Sequence, residues 1–311
     1  MKDKDYSEET RSVYHKQHMR IADDDIAMNR FIGMFSTEYF GLGDDYFKGK
    51  RVLDAGCGDT GKIMIALSRF GATDIHGIDL GEEFIPVVKA SMERYGVPED
   101  IVTVKSGSVL EIPYEDDYFD FVVCHGVLVH LNNIEEVECA FSELARVTKP
   151  NGYLYTVYGL IGGLFEEAIV PAVRQYYLEN NEFKEFVDNI SPADFTSAQD
   201  LIDKIAEEQL GTSLNMKSRG ELFDMDLCVF IQNLIQAPVR LTIKEEIVRQ
   251  FYLGKQFTDP RRLRRYVERK NIRKYFAPLH YETDFPISKI LYGSGNLEFL
   301  GRKANECVDD N

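Results

Sequence analysis

The sequence lacks the marks of a secreted, metal-binding or membrane-spanning protein. It contains five cysteines in 311 residues and no CxxC pair, so neither a disulfide framework nor a metal site is indicated. No apolar stretch follows the charged start MKDKDYSEETR, and the most apolar later run, LYTVYGLIGGLF, is shorter than the roughly 20 residues of a membrane-spanning helix. These absences predict a soluble, cytoplasmic protein with reduced cysteines and no membrane partner.

Basic residues are also scarce. The chain has 36 Lys and Arg against 52 Asp and Glu, a formal net charge of -16, which predicts that it has no nucleic-acid partner. An acidic protein is better suited to a neutral or cationic small substrate, including an amine. The run RRLRRYVERKNIRK at 261–274 is the exception. We interpret it as the solvated face of a late helix, with a patch that meets an anionic group or another subunit as the alternative.

Short β-branched runs alternate with helical patterns between residues 49 and 159. The runs RVLD, IHGID, IVTVK, FDFVVC and YLYTV read as strands, and EEFIPVVKASMERY and IEEVECAFSELARV carry apolar residues at helical spacing. Strands that alternate with helices form βαβ units and a parallel sheet with helices on both faces. The predicted fold class is therefore α/β.

Three further segments flank this core. Residues 1–48 are predicted to form a helical flank or lid, and residues 160–278 a mainly helical insertion. The insertion is expected to serve the substrate or an oligomer contact, with a homodimer as the candidate assembly. Residues 279–311 are predicted to return to the sheet edge as two strands, HYETDF and NLEFLGRK. Aromatic and acidic residues of the insertion are candidates for holding a cation, or alternatively form a helical core: Phe165, Glu166, Tyr176, Tyr177, Phe223 and Asp226.

A glycine-rich loop follows the first strand of the core, in the stretch VLDAGCGDTGK at 52–62. Ligands of open α/β sheets bind at the carboxyl ends of the strands, and glycine lets the main chain approach a ligand closely. The loop alone also fits a dinucleotide-binding dehydrogenase. However, it reads DAGCGDTG instead of GxGxxG and contains Asp54, which can meet a cationic α-amino group or order the loop, so a phosphate-free ligand fits better than a dinucleotide. Asp79 ends the second strand, where a carboxylate can accept both hydroxyls of a ribose.

These motifs occur in the order and spacing of a known family. VLDAGCGDTG, GIDLG, SGSVLEIPYEDDYFDFVVCHGVLVHL and LARVTKPNGYLYTV resemble the motifs of the class I S-adenosylmethionine-dependent methyltransferases. The resemblance implies a Rossmann-like, seven-stranded, mostly parallel sheet with an antiparallel closing strand. It also implies S-adenosyl-L-methionine as cofactor and S-adenosyl-L-homocysteine as product. The cofactor-binding residues that it implies are Asp54, Gly56, Cys57, Gly58, Asp79, Leu80, Ser108, Val109 and Cys124.

The reaction implied by this resemblance is methyl transfer to an N, O or S atom of a small-molecule acceptor. It depends mainly on positioning the acceptor, and a hydroxyl acceptor benefits from a base. The catalytic candidates are His125 after the fourth strand, Tyr14 in the N-terminal flank and Tyr158 after the fifth strand. His130 is interpreted as a structural residue. The alternatives are methylation of a protein side chain and a non-catalytic, cofactor-binding regulatory partner.

Overall fold

Seven strands form one mixed sheet in the computed structural model of the protein, which describes residues 5–22, 25–160, 162–190, 235–264 and 295–305, with 205, 207–209, 211, 290 and 293. The strand order is β3-β2-β1-β4-β5-β7-β6. Strands β1 to β5 pair in parallel, whereas β7 runs antiparallel to both β5 and β6. The predicted α/β fold with a mostly parallel sheet and antiparallel closing strand is confirmed. The strands are β1 Arg51–Ala55, β2 Asp74–Asp79, β3 Val102–Ser106, β4 Phe119–His125, β5 Thr148–Leu160, β6 Phe257–Leu263 and β7 Asn296–Lys303.

Helices cover both faces of the sheet, as expected when parallel strands are buried on two sides. One apolar core lies between the sheet and α2 to α5, and the other lies between the sheet and α6 and α9. Helix α6 begins where the Asn133 side chain accepts a hydrogen bond from the Glu136 amide at 2.9 Å, an N-cap. The helices are α1 Ser7–Ala22, α2 Asp25–Ile32, α3 Thr37–Phe40, α4 Lys62–Arg69, α5 Phe84–Arg94, α6 Ile134–Val147, α7 Val170–Glu179, α8 Asn181–Asn189 and α9 Glu245–Gly254. No helix of the described residues has the length and apolar character needed to cross a bilayer.

The described part of the N-terminal flank contains helices α1 to α3, and it does more than cover the sheet. Met28 and Ile32 of α2, with Phe35 and Phe40 next to and in α3, are at most 5% exposed and belong to one of the two cores. Apolar side chains of this size contribute roughly 1.5–3 kcal/mol each when fully buried. Helices α2 and α3 are therefore part of the packed domain, and α1 is the part of the flank that lies over the site.

The domain boundaries predicted after the fifth strand need one correction. The described part of the insertion is helical, with a π-helix at Phe165–Ile169 followed by α7 and α8. However, the sheet resumes at β6, Phe257–Leu263, inside the range 160–278 assigned to the insertion. The basic run therefore begins as a strand, and the predicted helix from Arg261 is wrong at its start because these residues pair with β7. The predicted strand HYETDF, at 280–285, lies outside the described residues, whereas NLEFLGRK is β7.

Candidate active site

The strand order reverses between β1 and β4, and a cavity of about 410 Å³ opens there at the carboxyl ends of the strands. Such a switch point is where open α/β sheets bind ligands, and this volume is within the range of small-molecule sites. Nine of the twelve predicted site residues line the cavity: Tyr14, Gly56, Gly58, Asp79, Leu80, Ser108, Val109, His125 and Tyr158. The side chains of Asp54, Cys57 and Cys124 are buried next to the strand ends.

Asp79 and the glycine loop hold each other in place. The Asp79 carboxylate accepts hydrogen bonds from the Gly58 and Leu80 amides, each at 2.7 Å. Burial raises the pKa of Asp79, and the two amide hydrogen bonds oppose that rise because they favour the carboxylate. The Gly56 and Cys57 amides donate to the Ile78 carbonyl at 2.8 and 3.0 Å, which ties the loop to β2. Gly56 and Gly58 have no side chains, so the cavity wall at these two positions consists of main chain.

Asp54 is a buried carboxylate that lacks a partner. It is 1% exposed, and neither of its oxygens accepts a hydrogen bond from any described residue. Burial first, and then the charge of Asp79, raise its pKa to about 8, although Lys62 opposes the rise. A buried polar group without a partner is costly, so this arrangement is typical of a group that meets a ligand. Asp54 does not itself line the cavity, and its contact with a cationic amine stays a prediction.

Helix α1 lies over the glycine loop. The Nδ1 atoms of His15 and His18 lie 2.8 and 3.3 Å from the two carboxylate oxygens of Asp59. Although burial favours the neutral carboxyl, the hydrogen bonds from His18 and His15 lower the pKa of Asp59. Arg11 forms an ion pair with Glu83 in the loop after β2. The prediction that the flank closes over the site therefore agrees with the position of α1.

Tyr14 and His130 form a hydrogen-bonded chain in the cavity wall. The Nδ1 atom of His130 lies 2.8 Å from the Val239 carbonyl, which only accepts, so Nδ1 carries the proton. Nε2 of the neutral ring therefore accepts from the Tyr14 hydroxyl at 2.6 Å. Burial, mainly, lowers the pKa of His130 to about 4 and raises the pKa of Tyr14. His130 was interpreted as structural, and its contact with Tyr14, 116 residues away in sequence, places it in the site instead.

The other predicted residues differ in what they contact. His125 lies among aromatic rings, with its centroid 5.5 Å from that of Phe31. Tyr158 is 1% exposed, and burial raises the pKa of its hydroxyl, which favours a hydrogen-bonding group over a base. The Ser108 hydroxyl accepts from the Leu110 amide at 3.1 Å and so orders its own turn. Burial raises the pKa of both the Cys57 and Cys124 thiols, in agreement with the absence of a predicted nucleophilic role.

Arg240, which was not predicted, lines the far side of the cavity. It forms an ion pair with Glu166, whose side chain is 4% exposed. Arg174 lies close enough that the two guanidinium charges disfavour each other, and it donates to the Ala237 carbonyl at 2.8 Å. The Glu166 carboxylate is therefore already paired with Arg240. Of the other candidates in the insertion, Tyr176 is 52% exposed, and the Tyr177 hydroxyl donates a hydrogen bond to Asp188. The side chain of Phe165, and all of Phe223 and Asp226, lie outside the described structure.

The sheet order, the glycine loop and the strand-end carboxylate define one class of protein. Residues 53–156 match the family model described as a methyltransferase domain. The predicted resemblance to the class I S-adenosylmethionine-dependent methyltransferases is confirmed over these residues. The family uses S-adenosylmethionine, so the fold implies this cofactor.

The chain is similar to several quinone-pathway methyltransferases. It is 28% identical over 172 residues to a ubiquinone biosynthesis O-methyltransferase of Shewanella sp. (strain ANA-3), covering 54% of this chain and 68% of that protein. It is 38% identical over 110 residues to a demethylmenaquinone methyltransferase of Staphylococcus aureus, covering 34% of this chain and 41% of that protein. A solved S-adenosylmethionine-dependent methyltransferase of Methanosarcina mazei covers 88% of this chain and 99% of its own, at 17% identity and a TM-score of 0.47. The chain spans about half the length, or less, of most curated relatives it matches.

The residues present fit this cofactor. Asp54 offers an unpartnered buried carboxylate to an ammonium group, and Asp79 lies at the strand end where a ribose is expected. Gly56 and Gly58 have φ of 88° and 59°, values that side chains disfavour, and a Cβ on Gly56 would lie 2.2 Å from Val127. Leu80, which is 37% exposed beside Asp79, offers an apolar surface to an aromatic base.

The pKa of Asp54 leads to a pH prediction. Below pH 8 the Asp54 carboxyl is mostly neutral, so an ammonium ligand must drive its ionisation. Affinity for S-adenosylhomocysteine is therefore expected to rise about tenfold per pH unit from pH 6 towards pH 8. Above pH 8 the rise should level off, because the Asp54 carboxyl is then ionised in the free protein.

Calorimetric titrations across this pH range would measure the effect, with Asp54→Asn as the comparison. The variant should bind more weakly at pH 8 and lose the acidic side of the profile. An unchanged acidic side in the variant would show that a group other than Asp54 causes it.

Proposed function

We propose that this protein transfers the sulfonium methyl group of S-adenosylmethionine to a small-molecule acceptor, at an oxygen atom in preference to nitrogen or sulfur. The observation that carries the proposal is one cavity whose wall joins the cofactor residues Gly56, Gly58 and Asp79 to the hydrogen-bonding residues Tyr14 and His130. The cofactor supplies an activated methyl group, so the protein has to bind the acceptor, orient its nucleophile and exclude water.

The form of the cavity supports a small acceptor over a protein side chain. Helix α1 covers the glycine loop through Asp59, and a polypeptide substrate would need an open groove at this place. Much of the remaining wall is apolar, which suits an acceptor with an apolar body. The apolar wall residues include Leu110, Val127, Val129, Leu131 and Val157.

The hydrogen bond from Tyr14 to His130 favours an oxygen nucleophile. Since the Tyr14 hydroxyl donates to His130, its oxygen is left to accept a hydrogen bond from an acceptor hydroxyl. The Tyr14 oxygen can therefore hold and orient an acceptor hydroxyl, whereas the low pKa of His130 makes Nε2 a hydrogen-bond acceptor and not a base. The relative named as a ubiquinone biosynthesis O-methyltransferase agrees with an oxygen acceptor. Arg240 in the wall argues against the cationic acceptor predicted from net charge.

The proposal is tested by incubating the protein with S-adenosylmethionine that carries a trideuteriomethyl group. Phenolic and quinol-like compounds, amines, thiols and a fractionated metabolite extract would be the acceptors, and mass spectrometry would read the label. We expect a labelled methyl ether. Label on a protein would favour the protein methyltransferase, and cofactor binding without transfer to any acceptor would favour a regulatory partner.

Removing the Tyr14 hydroxyl should affect chemistry more than cofactor binding. With the acceptor identified as above, Tyr14→Phe is expected to lower kcat by roughly 10²-fold, because the hydrogen bond that orients the acceptor hydroxyl is lost and positioning contributes this much or more. Affinity for S-adenosylhomocysteine should remain close to that of the unmodified protein. Steady-state kinetics and calorimetry measure the two quantities.

Tyr46→Phe is the matched control, since its hydroxyl donates to the Asp120 carbonyl at 3.0 Å and Tyr46 does not line the cavity. Equal losses of kcat in the two variants would contradict a role for Tyr14 in the reaction.

A further inference from the structure

Lys62 has an unusual position for a lysine. It is the first residue of α4, directly after the glycine loop, and its half-buried side chain lines the cavity. Its ammonium lies 4.1 Å from the centre of the Phe31 ring of α2. Among the described residues it forms no ion pair, although the charge of Asp54 is near enough to favour its protonated form.

Asp54 and Lys62 lie near each other without forming a direct ion pair, and the raised pKa of Asp54 keeps its carboxyl mostly neutral below pH 8 until a cationic ligand binds. Both carboxylate oxygens of Asp54 lack hydrogen-bond partners, and Asp54 is buried. A buried acid and a neighbouring cation that both lack a partner are costly in a protein interior, and a direct ion pair would reduce that cost. The arrangement is complementary to a ligand group that carries a positive and a negative charge side by side.

We propose that Lys62 binds the α-carboxylate of the cofactor's amino-acid tail while Asp54 binds its α-ammonium group. The inference rests on the proposed function, because it assumes that S-adenosylmethionine occupies this cavity. Lys62 is then a specificity residue that selects the complete zwitterionic tail over nucleosides that lack it.

Phe31 has a defined part in this arrangement. A cation over an aromatic face is stabilised without being neutralised by a counter-charge. The ring therefore holds the Lys62 ammonium in the wall while leaving it available to an anion. Phe31 itself lines the cavity, so α2 contributes to the site through this contact.

Three ligands separate the parts of the tail. S-adenosylhomocysteine has the ammonium and the carboxylate, its decarboxylated analogue has only the ammonium, and 5′-methylthioadenosine has neither. Binding of each to the full chain would be measured by calorimetry at pH 7 for the unmodified protein, Lys62→Met and Lys62→Arg. Lys105→Met is a matched control, because Lys105 also lies over a ring, that of Tyr114 at 4.5 Å, outside the cavity.

We expect Lys62→Met to weaken S-adenosylhomocysteine binding by about tenfold or more, since a charge-assisted contact to the carboxylate is lost. The other two ligands should stay within about twofold. Lys62→Arg should keep most of the preference for the carboxylate, and Lys105→Met should change none of the three. Retained binding of 5′-methylthioadenosine shows that the variant is folded.

Equal weakening of all three ligands by Lys62→Met would make Lys62 a structural residue and overturn the inference. Unchanged binding of S-adenosylhomocysteine would overturn it as well. Failure of the unmodified protein to bind any of the three would instead refute the proposed function, and with it this role of Lys62.

Discussion

Replacement of Asp79 by alanine is expected to weaken S-adenosylhomocysteine binding by roughly 10²-fold or more, because hydrogen bonds to a charged group are among the strongest polar contacts. The carboxylate holds the Gly58 and Leu80 amides, each at 2.7 Å, and lies in the wall where the ribose is expected. The substitution therefore removes a ligand contact and loosens the loop. Calorimetry of the variant and the unmodified protein measures the loss.

A second ligand pair separates these two effects. The unmodified protein should prefer adenosine to 2′,3′-dideoxyadenosine, and Asp79→Ala should lose that preference, whereas a merely loosened loop would weaken both nucleosides equally. Asp79→Asn keeps the shape of the side chain, but its amide nitrogen cannot accept from a backbone N–H. If Asp79→Ala kept the preference for the ribose hydroxyls, the assignment of Asp79 to the ribose would be wrong.

Gly56→Ala should both destabilise the protein and abolish cofactor binding. Gly56 has φ of 88°, and an added Cβ would lie 2.2 Å from Cγ2 of Val127. Left-handed backbone strain and overpacking together are expected to cost about 2–4 kcal/mol in the free energy of unfolding. Since the Gly56 amide also donates to the Ile78 carbonyl at 2.8 Å, the loop cannot move aside without losing that bond. Thermal and urea unfolding would measure the change.

Gly126→Ala is the matched control. Gly126 also lines the cavity and has a φ of 73°, but no heavy atom lies within 4 Å of the position its Cβ would take. Only the backbone strain remains, which is expected to cost about 1 kcal/mol. Adding Val127→Ala to Gly56→Ala should recover part of the lost stability. Equal destabilisation by the two glycine variants would show that the contact with Val127 is not the cause.

The fold could be predicted because its signals are local. The β-branched runs and the 3.6-residue periodicity of α4, α5 and α6 report burial on the faces of a sheet, and each pattern spans only a few residues. Strand β6 escaped prediction for the opposite reason. Its sequence FTDPRRL contains a proline and two arginines, and it becomes a strand by pairing with β7, about 40 residues later in the sequence.

Some residues of the candidate site could likewise be predicted from local signals, and others could not. Asp79 and the glycines could be found because each lies at the end of a strand, and strand ends converge in a parallel sheet. Lys62 had a usable sequence signal, because it directly follows the glycine loop, but it was not among the predicted site residues. Arg240 had no such sequence signal. It lies in the cavity wall because the carbonyl of the preceding residue, Val239, accepts a hydrogen bond from Nδ1 of His130, a contact between residues far apart in the sequence.

What the sequence by itself determined is the alternation of strands and helices from β1 to β5, the glycine loop and the two carboxylates at its edge, because periodicity and chain connectivity are properties of neighbouring residues. Only the tertiary structure decided that Asp54 lacks a partner, that Tyr14 donates to His130 and that Arg240 is held by Glu166. Those facts depend on burial and on contacts between residues far apart in the chain, and local sequence patterns carry no record of either.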